Sequence, residues 1–559
     1  MKSQPKNGVS MWLRSLELFA LISALTLSTP VLAVDSKLPQ IREVKLDQAC
    51  SVANQLLEPF EYYITLHFRN EFDVLRGRVE IKVRLADPKP APESLVDGSK
   101  CHTGDDSKGT VIVLHLARRI EIHSVTLEND YYLRRESIKD ILRDSERQMI
   151  VIRLNEPLAD NSSGRLIIEY EDSSFSSSKI MTSGTMDDYE FVRDGGDRPF
   201  IYRMARLQPG QARELLPCFE ESHIKTRINL EITYPGKLLN IYSNTIMSSS
   251  NERRPQEEAG QLIGWHEFDK TEPMPIGSLT FAIVDSRDEQ TGRTTPDRRA
   301  KITIIPPKEK SHLCSYASEF GWESYQWLQK KELTLRIPRE ELRLLPVTTR
   351  KNGLKMATGY MIGYIDRDIL LLNDVTAPEE NKMRAGFHIA LTMTRQFFGN
   401  LLVPRTYADM WITEGLAGYT ALKMIDQLRP EWDVFAYFRS NYLNRALELD
   451  SSGKYPPISY VPLDGDTSND KQAALFYSSE FELMRFGKGV AIIQMLDRIV
   501  SPLSNHGISF DDVIKKLIGS SKDMLVDLPL LANAFANEHL SSEEIVNSVA
   551  PWIESSEFP

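Results

Sequence analysis

The side chains with most to say about chemistry lie between His388 and Thr420, in HIALTMTRQFFGNLLVPRTYADMWITEGLAGYT. A helix carrying H-E-x-x-H turns two imidazoles to one face and chelates zinc, and the Glu between them activates the bound water. Ahead of Gln396 the chain reads Leu391-Thr392-Met393-Thr394-Arg395 instead. Leu391 has no donor atom and Arg395 stays protonated, so neither ligates a metal. The Thr392 hydroxyl cannot replace a carboxylate as general base near neutral pH. Glu414 is left, with His388, which precedes Leu391 by three residues and Arg395 by seven on one helical face. Catalytic zinc needs about three protein ligands. His388 therefore reads as a hydrogen-bonded structural residue, ahead of a substitute metal site with Glu414.

The frame around these residues is familiar. Gln396-Phe397-Phe398-Gly399-Asn400 closes one helix, and Trp411-Ile412-Thr413-Glu414-Gly415-Leu416-Ala417 opens the next. This resembles the membrane alanyl/leucyl aminopeptidase family, gluzincin zinc metallopeptidases whose third ligand is a Glu eighteen residues beyond the second His. Eighteen residues separate Arg395 from Glu414. The resemblance implies that Leu391, Arg395 and Glu414 hold former ligand positions and Thr392 the position of the base.

Other family motifs match in order and change where they would touch substrate. Gly359-Tyr360-Met361-Ile362-Gly363 aligns with Gly-x-Met-Glu-Asn, whose Glu binds the substrate's free amino group; Ile362 stands there. Phe486-Gly487-Lys488-Gly489 aligns with a Tyr-x-Lys-Gly context, and Phe486 lacks the hydroxyl that would stabilise an oxyanion. The stretch from Arg206 to Glu221 resembles T-Q-F-E-P-x-D-A-R-x-x-F-P-C-F-D-E. Pro209, Ala212, Arg213, Pro217, Cys218, Phe219 and Glu221 match and read as packing residues. Arg206 and Gln208 replace the family's substrate-contacting Gln and the Glu two residues on. With Tyr360 and Met361, they are the candidate substrate-binding residues. The resemblance further implies that the Arg395 guanidinium points where the metal would sit and pairs with Glu414. The alternative is a solvated Arg395, with Glu414 favoured merely by a nearby helix N-terminus.

The elements that must position these residues follow from pattern. From Tyr62 the chain alternates, Tyr63, Thr65 and His67 facing one way and Ile64, Leu66 and Phe68 the other. Short strands recur at Val111–Leu116, Ile120–Leu127, Met149–Leu154, Leu166–Tyr170, Ile228–Tyr234 and Leu279–Val284, which predicts a β-sandwich-like domain over 34–294. Residues 173–198, rich in Ser, Gly and Asp, read as a loop. A second domain, 295–559, opens with the strand Lys301–Ile305. Helices are expected at Ser315–Lys331, 384–400, Glu414–Gln427, Trp432–Glu448, Lys488–Ile499 and Phe510–Ile518. The fold class is thus α+β: a β-sandwich-like domain and then, as the resemblance implies, a thermolysin-like α/β domain. The chain ends about where the family's catalytic domain ends, which implies that the helical C-terminal region of many members is missing.

At the N-terminus, Lys2, Lys6 and Arg14 precede a mostly apolar run, Leu18–Leu27, and then Val31 and Ala33 in the -3 and -1 positions. This predicts a signal peptide over 1–33 and secretion, the alternative being an uncleaved membrane anchor. Asn161-Ser162-Ser163 is a glycosylation acceptor. Of four Cys, Cys50 and Cys101 are the expected pair, with Cys218 a buried free thiol and Cys314 free, although sequence leaves three connectivities open. The net charge of -11 argues against a nucleic-acid or acidic-membrane partner, although acidity is common among soluble proteins and discriminates little.

The expected function is that of a secreted, catalytically inactive aminopeptidase homologue, without a cofactor, that binds a peptide or protein in the old cleft. Two alternatives remain: an active zinc aminopeptidase with an unusual site, and a structural partner subunit of a full-length aminopeptidase.

Overall fold

The structure is a computed structural model. It describes residues 41–46, 57–69, 74–85, 111–129, 134–156, 163–173, 189–190, 201–235, 239–250, 256–258, 261–284, 291–294, 300–307, 310–333, 340–349, 356–462, 475–503 and 509–555. The signal segment, Cys50, Cys101 and Asn161 lie outside the described residues, as do most of the expected 173–198 loop and the Arg206 side chain.

Period-two patterning builds the first domain. In the strand Leu57–Arg69, Ile64, Leu66 and Phe68 are buried while the intervening residues are partly or fully exposed. That strand pairs antiparallel with Val74–Leu85 and parallel with Lys225–Pro235 inside a ten-stranded sheet. A four-stranded sheet (Ile41–Glu43, Ile138–Asp144, Met149–Leu154, Val111–His115) and a three-stranded one (Ile201–Arg206, Thr280–Val284, Asn240–Ser243) complete the layers.

The second domain carries a mixed sheet whose core strands, Ala300–Ile304, Glu340–Thr349 and Ile362–Asp366, run parallel. Thr291–Thr294 pairs with Ala300–Ile304, so this sheet starts a few residues before the boundary expected at 295. Met356–Gly359 forms the antiparallel edge, joined to Ile362–Asp366 through Tyr360 and Met361. The helix Ser315–Lys330 packs on this sheet and on the first site helix, Glu379–Phe397, which carries Leu391, Thr392 and Arg395. The second site helix, Met410–Leu428, lies between the first and the long helix Ser479–Leu503.

Three helices start earlier than expected: the first site helix at Glu379 rather than 384, the second at Met410 rather than Glu414, and the long helix at Ser479 rather than Lys488. The first site helix opens on Glu379 and Glu380, where carboxylates face the N-terminal dipole. The second starts at Met410 because Thr406 and Asp409 form a capping box just ahead of it. The expected helix over Trp432–Glu448 is instead Val434–Phe438, a π-helical turn Arg439–Leu443 and Asn444–Ser451.

The two domains share a core. Met204, Tyr242, Ala282 and Val284 from the first pack with Ile305, Leu345, Val347, Ile362 and Tyr364 from the second. Lys225 also crosses the junction, donating to the carbonyls of Leu401 (3.0 Å), Asp523 (2.8 Å) and Met524 (3.2 Å). It thereby ties the sandwich to the turn that leaves the first site helix. Cys218 and Cys314 are free and buried, as expected, and burial pushes the Cys314 thiol up to about 12.

Candidate functional site: an ion pair at the former metal positions

The two site helices present Arg395 and Glu414 to each other, and Arg395 Nη2 donates to Glu414 Oε2. Eighteen intervening residues, a turn and the start of a second helix bring them together, as the spacing implied. Arg395 is only 6% exposed. Its guanidinium lies 5.7 Å from the centre of the buried Phe486 ring, a cation–π distance. Phe486 thus covers the ion pair where the resemblance places a hydroxyl donor. A guanidinium against a carboxylate is a charge-assisted contact, and it spares Glu414 burial as an unpaired charge.

Glycines set how closely these helices approach. A Cβ on Gly415 would meet the Gly489 carbonyl oxygen at 2.5 Å, and one on Gly489 would meet the Trp411 carbonyl oxygen at 2.5 Å. The Glu414-Gly415 and Lys488-Gly489 pairs are therefore the contact between the second site helix and the long helix. Lys488 itself is buried on Asp450, at 2.8 Å.

The remaining former positions are packed. Leu391 and Thr392 are fully buried, and the Thr392 hydroxyl donates to the His388 carbonyl at 2.8 Å. His388 is structural: its Nε2 lies 3.0 Å from the Tyr442 hydroxyl, which the π-helical turn presents. Phe387, Phe438 and Phe486 enclose Tyr442.

The zinc that the resemblance implies can be tested against these side chains, and they do not fit it. Leu391 offers no donor and Arg395 is a cation engaged with the one remaining carboxylate. Among the described residues no three His, Cys, Asp or Glu converge as a metal-holding group.

The candidate substrate residues separate into two places. Gln208 donates to Ser278 Oγ at 2.8 Å, inside the first domain. Ile362, aligned with the amine-binding Glu, does not face the site helices. It is fully buried in the shared interdomain core, and its neighbour Gly363 turns to the first site helix, where a Cβ would lie 2.4 Å from Thr392 Cγ2. Strand alternation sends the Ile362 side chain to the face opposite Gly363.

Tyr360 and Met361 form the turn of the edge hairpin, with Met361 at φ +63°. Gln396 accepts from Met361 N at 2.8 Å, and Asn244 donates to the Tyr360 carbonyl at 2.8 Å. Both residues line a cavity of about 270 Å³ between the domains, together with Asn244, Ile246, Glu341 and Arg343. Sequence reasoning named Tyr360 and Met361 but none of the other four. Their distance along the chain hid them, since no local pattern joins residues 244 and 343.

Comparison with known families agrees with this geometry. The Peptidase M1 N-terminal domain matches residues 58–276 and the Peptidase family M1 domain matches 358–538. A leucyl aminopeptidase of Saccharolobus solfataricus is 27% identical over 299 residues, covering 53% of this chain and 34% of that protein. Aminopeptidase M1-D of Oryza sativa subsp. japonica is 22% identical over 364 residues, 64% of this chain and 37% of the relative. Aminopeptidase N of Canis lupus familiaris is 22% identical over 377 residues, 67% of this chain and 35% of the relative. The matched region thus spans little more than a third of these relatives' own length.

Proposed function

The chain belongs to the M1 peptidase family, and from that premise we propose that it is a secreted, catalytically silent member that binds a peptide or protein instead of cutting one. The observation that supports this reading is the Arg395–Glu414 ion pair under Phe486. A cation fixed to the protein takes the metal's electrostatic role toward Glu414, and it can neither activate water nor polarise a carbonyl as a Lewis acid. The base position and the oxyanion-donor position hold Thr392 and Phe486, which lack the groups those steps need. In this reading the chain has no cofactor and its ligand lies in the space between the domains.

Turnover of aminoacyl fluorogenic substrates tests the proposal, measured with the purified chain in added zinc and in chelator. The reading expects no chelator-sensitive release in either condition. Zinc-dependent release that chelator abolishes would establish an active aminopeptidase with an unusual site.

A further inference from the structure

The cavity behind the Tyr360–Met361 turn has a charge balance the former active site does not explain. The turn itself and residues of both domains line it. Two cations line it and both are committed internally. Lys270 donates to Glu61 and to the Tyr63 hydroxyl. Arg343, buried, donates to the Ser243 carbonyl at 3.0 Å and to Glu341 at 2.7 Å. The carboxylates at the mouth are not matched in the same way. Among the described residues Glu272 pairs with Arg227 alone, at 3.4 Å with both side chains about half exposed. Asp269 makes no ion pair among the described residues. Apolar surface sits beside them: Ile246 and Met361 line the cavity, and the adjoining Met247 is 40% exposed, one of three large apolar side chains left so among the described residues.

A cavity of about 270 Å³ is near the lower end of ligand clefts, roughly 300–1,000 Å³. It holds one side chain, not a folded element. A negative mouth over an aliphatic wall suits an organic cation on an apolar stem. We propose that this cavity receives a lysine or arginine side chain of a bound peptide, its charge between Asp269 and Glu272 and its stem along Ile246 and Met361. The proposal rests on the peptide-binding reading and names the chemistry of the ligand. The occupant would press on Met361, whose backbone N–H is held by Gln396 next to Arg395.

The test is calorimetric titration of the full chain with N-acetylated, C-amidated tetrapeptides. These differ only in lysine, arginine, norleucine or glutamate at the second position. A fifth peptide has a free amino terminus and no basic side chain. Lysine and arginine peptides are expected to bind about tenfold more tightly than norleucine, and glutamate most weakly, with the difference shrinking as salt rises. Asp269→Asn/Glu272→Gln, changed at exposed positions, should erase the lysine–norleucine difference with the thermal midpoint unmoved. Equal binding of lysine and norleucine peptides would overturn the assignment, as would an indifferent double variant. Binding of the free-amine peptide alone would overturn it in favour of an N-terminal ammonium site. Zinc-dependent turnover would sink the silent-enzyme reading without touching this discrimination, so the two failures are distinguishable.

Discussion

Arg213–Glu220 and Arg395–Glu414 are both ion pairs withdrawn from solvent, and they are built in different ways. Glu220 has a fully enclosed side chain. It accepts from Arg213 Nε, from the Ala212 N–H and from the Arg213 N–H, the last at 3.3 Å. It belongs to the Leu216–Glu221 stretch, where the family's motif is nearly intact. Glu414 keeps 13% of its side chain exposed, and its described partner is the Arg395 guanidinium. The first pair is woven into backbone hydrogen bonding and the second joins two side chains across a gap. The difference separates a carboxylate held by backbone N–H groups from one held by a single opposite charge.

Paired substitutions separate the two. Glu220→Gln should cost about 3–5 kcal/mol in denaturant unfolding, because it strands a buried guanidinium and weakens two backbone contacts. Arg213→Met/Glu220→Leu should recover little, since the Ala212 and Arg213 N–H groups stay unpaired. Arg395→Met should cost less, about 1–3 kcal/mol, as Glu414 retains some solvent. Arg395→Met/Glu414→Leu should then recover most of that loss, because among the described residues no backbone group bonds to either side chain. Equal recovery in both double variants would erase the distinction.

A smaller effect probes the packing of the first site helix. Gly363→Ala should cost about 1–2 kcal/mol through its clash with Thr392 Cγ2. Adding Thr392→Ser, which removes that methyl, should relieve it in part.

How far these contrasts were legible from sequence depended on whether the determinant was local. The register from Arg395 to Glu414 is a count along the chain, and helix geometry turned that count into a contact. Apolar alternation also located the sandwich strands, and the resemblance located the first site helix. Both missed the helix starts at Glu379 and Met410, where polar residues and a capping box extend the helix beyond its apolar face. The facing of Ile362 was not legible for a different reason. A motif match carries residue identity, whereas the facing of a strand residue follows from the pairing of Gly359 with Ile362 across the turn. The cavity was illegible because its walls come from stretches far apart along the chain, 244–272 and 341–361.

The smallest expected effect lies beside that cavity. Burial alone would raise the Glu61 carboxyl, but Lys270, the Tyr63 hydroxyl and Lys82 outweigh it and bring it down to about 2. Its folded value is below its unfolded one, so this contribution is complete above about pH 4.5 and fades as pH falls toward 2. The acid limb of the stability profile should therefore be shallower in Glu61→Gln than in the wild type. An unchanged limb would remove Glu61 from the account and leave the two ion pairs untouched.

The most direct measurement of the central claim is the zinc content of the wild-type chain after equilibrium dialysis against zinc, beside Leu391→His/Thr392→Glu/Arg395→His as the reference that rebuilds the motif. The account predicts under about 0.1 zinc per wild-type chain at this site, and about one in the variant, where two imidazoles join Glu414. One tightly held zinc per wild-type chain, lost on changing Glu414 to Gln, would contradict it.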